Sequence, residues 1–599
     1  ANIAAALDAK LNVTGVDTVT VSGTADATQA ATIAAFVKPV TYTVTDTAQH
    51  IAANTGGLGE ATTVTVTTAA TVTEATTIHT ARADVAYSTA DVAQSFLNAT
   101  TTQASAVDAA TAANVAPDSS VPAALTVAEA TKLLALADND SSLHIKIVDN
   151  ASNIAAALDA KLNVTGVDSV TVSGTATAAQ AATIASFTKD VTYSVSDTAA
   201  NIAANTGGLQ DAVGVAVTTS ATLAEAATIH AARSNIAYNV ADTADKLALA
   251  PSWTAWSVGS SASASVSAQG EISLAVGDDG KAVWSSGQTH SKAFVSTDTF
   301  NGLKLSSLTE LSYTLNNASA NGLEGPYVNI VVSNGTDRAI LLLDATTAPL
   351  GQQDHILETA KFKFNEGSGA FAAKNNTWVS YDEVKDLIIG NGFADVSTSV
   401  TPVGGWTGAG ANDGVIFALG NRGSSPQLQA TIHDVAADVS DATVGVLNSA
   451  VALVATTPAS AEQALAIFDK TNSGTTTYDV VDTAATFLSA DQAHAAAINA
   501  AVTATVTPAS VPATLTVDQA IKLLALADND DKLSITIKDS PANLAAHADA
   551  MNLTGVTSVV VDGAATVAQA AAIHTANAAV SYDLKIGRAS CRERVSSPV

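Results

Sequence analysis

Sulfur is almost missing from this chain of 599 residues, which holds one cysteine and one methionine. A single thiol forms no internal disulfide and supplies no cysteine-based metal site, so packing and hydrogen bonds must hold the molecule together. Charge is scarce and one-sided: 14% of residues are charged, with 26 Lys+Arg against 55 Asp+Glu, a formal net charge of −29. Such a surface repels nucleic acid and anionic lipid, so neither is an expected partner. There is no apolar run of about 18 residues, so no membrane insertion is expected. Aromatics make up 4%, and all five tryptophans fall between residues 253 and 406. What remains is Ala, Thr and Val, arranged in repeats.

Residues 2–11 (NIAAALDAKL) recur as residues 153–162, displaced by 151 positions. A third copy starts at Val511, where VPATLTVDQAIKLLALADND answers VPAALTVAEATKLLALADND at Val121. A finer period runs inside these copies. Val170 to Val215, Val191 to Ile236 and Asp197 to Asp242 are each 45 positions apart. Each such unit holds two strand–helix pairs of about 22 residues, the scale of a solenoid. In the unit at residues 170–202, Val170, Val172, Val191, Tyr193 and Val195 alternate with Thr171, Ser173, Thr192 and Ser194. Strands covered by helices on both faces read as continuous apolar runs. The alternation therefore predicts helices on one face and an open Thr/Ser face on the other. Strands joined through a helix should pair in parallel. Residues 97–120 and 435–458 alternate weakly and read as helix or loop between units.

Helix starts carry their own signature. Thr71-x-x-Glu74, Thr126-x-x-Glu129, Thr177-x-x-Gln180, Thr222-x-x-Glu225, Thr516-x-x-Gln519 and Thr566-x-x-Gln569 read as capping boxes, in which hydroxyl and carboxyl or amide side chains satisfy orphan backbone donors. The alternate helices follow an aspartate (Asp46, Asp149, Asp197, Asp242, Asp482, Asp539), which reads as their N-cap.

Between residues 251 and 427 the composition changes to tryptophan, glycine and short alternating strands. Runs near 271–276, 281–285, 311–315, 327–333, 338–343 and 415–419 are separated by turn signals such as Asp278-Asp279-Gly280. That pattern predicts an antiparallel β-sandwich, with one short helix at 381–389. The fold class expected is thus an α/β repeat, solenoid-like, of alternating short parallel strands and helices, interrupted by an all-β sandwich of jelly-roll or lectin-like type. The expected domains are repeats at 1–250, the sandwich at 251–427 and repeats again at 428–584. Residues 585–599 contain Cys591 and three arginines within IGRASCRERV. They read as a translated non-native tail. A start at Ala1, with Met551 the sole methionine, predicts that the natural start and any signal peptide lie upstream.

Candidate chemistry is thin, and no catalytic residue is assigned. An exposed indole can stack on a sugar ring. Trp253, Trp256 and Trp406, beside Ser/Gly-rich loops, are the candidate ligand-binding residues, with core packing as the alternative for each. Trp284 and Trp378 sit in stretches that should pack. Asp138, Asp140, Asp528 and Asp530, in two Asp-Asn-Asp clusters, are candidate calcium ligands. They lack the glycine and distal glutamate of a full calcium loop, and the alternative is a solvated turn after a helix. No other cofactor is expected. His79, His230 and His574 share one register, but one histidine per unit cannot assemble three or four ligands, and they read as helix-end residues. The carboxylates of the central block (Glu310, Glu324, Asp354, Glu358, Asp382, Glu383, Asp413) show no spacing that singles out an acid/base pair. Glycosidase pairs are defined in space rather than in sequence.

The repeats resemble the Asp-Thr-Ala-x-Asn-Ile arrays of giant bacterial extracellular and adhesin-like proteins, over residues 1–250 and 457–584. The central block resembles lectin-type or carbohydrate-binding β-sandwiches. The resemblance implies a bacterial secreted or cell-surface protein whose repeats are a scaffold and whose sandwich is a binding module, with glycans or neighbouring surface proteins as partners. On this reading it is not an enzyme. The alternatives are a polysaccharide-active enzyme on a repeat stalk and a purely structural surface-layer or filament component.

Overall fold

Each repeat begins with a strand whose alternate residues differ in kind, and the burial follows. In the computed structural model Val170, Val172, Tyr193 and Val195 are buried, while Ser173 and Thr192 are exposed. The structure describes residues 2–6, 8–157, 159–251, 253–267, 271–277, 291–318, 326–343, 351–390, 413–420 and 428–585. It divides into two compact units, Ala1–Thr218 and Thr219–Val599.

In the first unit every strand pairing is parallel. Val19–Ala25, Val40–Asp46 and Thr63–Val66 form one sheet, and Ile145–Asp149, Val167–Val172 and Val191–Thr192 form another. Thr89–Asp91 pairs with Ala113–Val115, and Val195–Asp197 with Val215–Val217. Single bridges such as Ala70 to Thr89 and Ala176 to Val195 link successive strands. The helices between them are short, as in Ala178–Ala185 and Val72–Ala81. Helices of this length are marginal in isolation, so packing and capping hold them. Tyr42 and Val44 from a strand bury against Ile33, Ile51 and Ile78 from the helices. Small residues let the layers approach. At Gly208 a Cβ would lie 2.4 Å from the Ala181 carbonyl carbon, so only glycine fits there. Residues 97–120 prove to be another repeat, with a helix at Thr101–Asp108 and a strand at Ala113–Val115.

The second unit opens and closes with the same pattern. Asn239–Asp242 pairs in parallel with Ala452–Ala455, which pairs with Thr476–Thr477. The Ala244 amide donates to the Thr457 hydroxyl, 213 residues away, just as Ala48 donates to Thr68 in the first unit. The parallel ladder therefore resumes as though the intervening segment were absent. That segment carries two antiparallel sheets. The larger, of eight strands, runs Thr254–Val258, Lys292–Thr297, Val415–Gly420, Tyr327–Ser333, Arg338–Leu343, Phe362–Gly367, Trp378–Val379, with Ile388–Ile389 added onto Tyr327–Ser333. The smaller runs Ala262–Val266, Ile272–Val276, Leu428–Val439, Leu308–Ala318, Gly351–Ile356. Neither sheet closes into a barrel among the described residues. The strand after residue 427 thus belongs with the antiparallel sheets, and the parallel pattern resumes only after Val439. The expected strand at 281–285 lies outside the described residues. The expected helix at 381–389 is shorter, Tyr381–Val384, and its second half is the strand Ile388–Ile389.

Candidate functional site

The recurring polar side chains at the helix starts of the repeats are engaged by backbone. Thr177 and Gln180 form the expected capping box, as do the pairs beginning at Thr71, Thr126, Thr222, Thr516 and Thr566. The aspartates are not the N-caps that the sequence suggests. The cap of each following helix is the next residue, as Thr47 for Ala48–Ala53 and Thr198 for Ala199–Ala204. The aspartate instead reaches the neighbouring helix. The first helical amide of that helix donates to the carboxylate of Asp46, Asp91, Asp149, Asp197, Asp242, Asp482 and Asp539, at 2.9–3.0 Å in all seven cases. Each carboxylate thus ties consecutive helices together through a charge-assisted bond. Burial alone would raise the Asp197 carboxyl, but the Asn201 side chain and the amides of Ala178 and Thr198 outweigh it and hold it below its ordinary range. A second tie comes from buried tyrosines. The hydroxyls of Tyr42, Tyr87, Tyr193, Tyr238 and Tyr478 donate to carbonyls of the next unit at 2.6–3.0 Å. Burial pushes Tyr193, Tyr238 and Tyr478 up to about 12.

The Asp-Asn-Asp clusters serve the same end. Ala113 donates its amide to Asp138 at 2.6 Å, and Val115 donates to Asn139 at 2.9 Å. In the other copy Ala504 donates to Asp528 and Val506 to Asn529, at 2.6 and 2.9 Å. These side chains extend the strand ladder beside Ala113–Val115 and Ala504–Val506, each of which pairs with one strand among the described residues. Asp140 and Asp530 each leave a buried Oδ1 without a partner. Burial, then the charges of Asp138 and Asp528 respectively, raises both carboxyls. Their backbone carbonyls lie against Gly166 and Gly555, where a Cβ would come within 2.1 and 2.7 Å. Among the described residues no group of three or more His, Cys, Asp or Glu is arranged to hold a metal ion. His230 bonds to Tyr238 at 3.2 Å, and His79 and His574 lie in the last turns of separate helices.

The tryptophans sort differently from expectation. Trp256 is 8% exposed, stacks on Phe294 with centroids 4.0 Å apart, and donates its Nε1 to Ser296 at 2.9 Å. Its ring face is occupied, which removes it as a sugar platform. Trp253 is half-buried with its ring 5.3 Å from that of Phe417. Trp406 and Trp284 lie outside the described residues. Trp378, expected to pack, is 52% exposed. Its two-residue strand is too short to show alternation, and Val379 takes the inward position instead.

The ladder of the larger sheet places Trp378 in a row. Thr254 pairs with Ser296, Ser296 with Ile416, Ile416 with Asn329, Asn329 with Leu342, Leu342 with Lys363, and Lys363 with Trp378. Paired residues of an antiparallel ladder project to one face. Phe417, on the opposite face, meets Tyr313 of the smaller sheet at 5.0 Å, so the row faces away from that sheet. In its middle Asn329 is fully buried, and neither its Nδ2 nor its Oδ1 has a partner. Such a buried amide costs about 1–3 kcal/mol of stability. Near the other end Ser296 donates to Asp413 at 2.6 Å. Burial raises the Asp413 carboxyl, opposed by the Ser296 bond and reinforced by Asp298. Asn329 escapes a reading of the sequence, although a lone amide among Val328, Ile330 and Val332 is the signal that could find it.

Compared with known proteins, the chain matches no family model and no curated protein.

Proposed function

We propose that this chain is a bacterial secreted or cell-surface adhesion protein. Its parallel repeats form a solenoid-like scaffold, and its two antiparallel sheets form a jelly-roll-like sandwich that binds glycans. The observation that carries the reading is the seven-fold aspartate tie between consecutive helices. It directs the recurring carboxylates of the repeats to backbone donors, as a spacer requires. The antiparallel sheets differ, presenting the exposed Trp378. The test is a glycan array and polysaccharide pull-down with the full chain. Binding to at least one glycan class is expected, and binding to none removes the recognition role.

A second reading, a surface-layer or filament component, is favoured by the open strand face. There Thr20 pairs with Thr41 and Thr24 with Thr43, which pairs with Thr63. Outward hydroxyls in register suit lateral packing of sheets. Sedimentation at high concentration, with and without calcium, tests it: a monodisperse monomer in both conditions argues against assembly.

A further inference from the structure

Four asparagine–glycine pairs occur in the chain, beginning at Asn301, Asn321, Asn334 and Asn391. Such a pair can close on itself: the glycine nitrogen attacks the side-chain carbonyl of the asparagine, and no Cβ obstructs the cyclic imide that forms. The pairs at Asn321 and Asn391 lie outside the described residues. The other two sit in opposite surroundings. The Gly302 amide donates to the Ile389 carbonyl at 2.9 Å, and a Cβ on Gly302 would lie 2.5 Å from that of Ala224. That pair is committed to packing.

Asn334 and Gly335 instead form the exposed turn between the strands Tyr327–Ser333 and Arg338–Leu343. Its polar groups converge on the atoms of the ring closure. The amides of Thr336 and Asp337 donate to the Asn334 Oδ1 at 3.0 and 2.7 Å. They hold the side chain forward over the Gly335 peptide. They also stand where negative charge collects on that oxygen during attack, as the donors of an oxyanion hole do. The attacking nitrogen has its own acceptor. The Gly335 amide donates to the Ser333 hydroxyl at 3.0 Å, and Ser333 is fully buried. A Cβ on Gly335, whose φ is 95°, would meet nothing within 4 Å, so the turn stands open to water.

We propose that Asn334 is a self-modification site, at which this turn deamidates its own asparagine. The Gly335 nitrogen bonds to the Asn334 Cγ while its proton passes to the Ser333 hydroxyl, which gives its own proton to the departing nitrogen. The Cγ–Nδ2 bond breaks and ammonia leaves. Water then opens the cyclic imide on either side, leaving aspartate or isoaspartate at 334. Both products add a negative charge close to Asp337. Isoaspartate also lengthens the main chain by one methylene between Ser333 and Arg338, which are paired across the ladder, and so strains the register that the turn sets.

The test ages the full chain at mildly alkaline pH, folded and in urea, and follows each asparagine by peptide mass spectrometry with fragment-ion localisation. Asn334 should convert about ten-fold faster in the folded chain than in urea, and Asn301 should be retained in the folded chain. Ser333→Ala should remove most of that advantage while leaving the rate in urea unchanged. Its circular dichroism and thermal midpoint verify that it folds, and the comparison of folded with unfolded native chain stands without it. Conversion in the folded chain no faster than in urea would show that the turn protects Asn334, and would overturn the assignment. Undiminished conversion in folded Ser333→Ala would overturn the proton route, and with it the claim that the turn drives the reaction.

Discussion

Asp197 in the repeats and Asp413 in the antiparallel sheets are both partly sequestered carboxylates near strand ends, yet they titrate in opposite directions. Asp197 receives the amides of Ala178 and Thr198 and the Asn201 side chain, and is held low. Asp413 receives the Ser296 hydroxyl, and burial holds it high. Where donors match the lone pairs, a carboxylate keeps its charge and acts as a structural tie. Where burial outruns them, the carboxyl protonates more easily. Asn329 and Asp413 both lie in the antiparallel sheets, while the repeats pair their strand-end aspartates with amides throughout. The contrast holds for the strand-end aspartates; Asp140 and Asp530, in turns of the repeats, are raised like Asp413 and each leave a buried Oδ1 without a partner.

The largest test of the division is Phe487→Ala. Phe487 is fully buried within a repeat helix, and its truncation should cost about 3–5 kcal/mol. All five tryptophans lie in the central block. Circular dichroism should therefore report early melting of the repeats while tryptophan fluorescence melts at its usual temperature; coincident melting would show the two regions to be one cooperative unit.

Next comes a pair of opposite sign. Asp197→Ala should lower stability by about 2 kcal/mol at neutral pH, through loss of charge-assisted bonds. Because the Asp197 carboxyl is held low, its stabilisation is present above the unfolded value near 3.9 and disappears as pH falls through the folded one. The deficit of the variant should close in acid. Asp413 is held high, so its contribution is favourable while protonated and is lost as pH rises through the folded value. Asp413→Asn should therefore be neutral or stabilising at pH 7, with the gain vanishing in acid. Urea titrations across the pH range decide both, and parallel behaviour of the two variants would erase the contrast.

Tyr193→Phe should cost about 1 kcal/mol, since it strips the donor from the Gly208 carbonyl and leaves the packing intact. An unchanged urea midpoint would mean that the tyrosine tie adds nothing to the stacking.

The smallest effect concerns His494, which bridges Glu462 at 2.9 Å and Asp491 at 2.8 Å between two repeat helices. Its bond to Glu462, then that to Asp491, raises its ionisation above the ordinary histidine value. The stabilisation is full below about pH 6.5 and is lost as pH rises through the folded value. NMR titration should show the raised midpoint, and Glu462→Gln should lower it.

What a reader of the sequence could see was local. The alternation of Val170 and Thr171 and the Thr177-x-x-Gln180 box involve residues one to three positions apart, and they appear in the structure as read. The parallel pairing of successive strands follows from their helical crossovers in the same way. The misreadings involve distance. Asp197 looks like a cap because its partner, the Ala178 amide, lies 19 residues back. The backbone partners of Asp138 and Asn139 are equally remote, since Ala113 and Val115 lie 24 to 25 residues away. Trp256 takes its packed alternative and Trp378 the exposed place it was not expected to hold, because burial of an indole depends on cross-strand neighbours. Phe294 covers the first, whereas the second stands at the end of its row.

The return of the parallel ladder at Ala452, after the excursion that begins beyond Asp242, has a kinetic consequence. If that excursion were a floppy loop, closing it would cost about 2 kcal/mol more than an ordinary 20-residue crossover. An already folded insert with its two ends side by side abolishes most of that search. The antiparallel part should then collapse first and act as a clasp, and the last-formed contact should be Asn239 against Ala452.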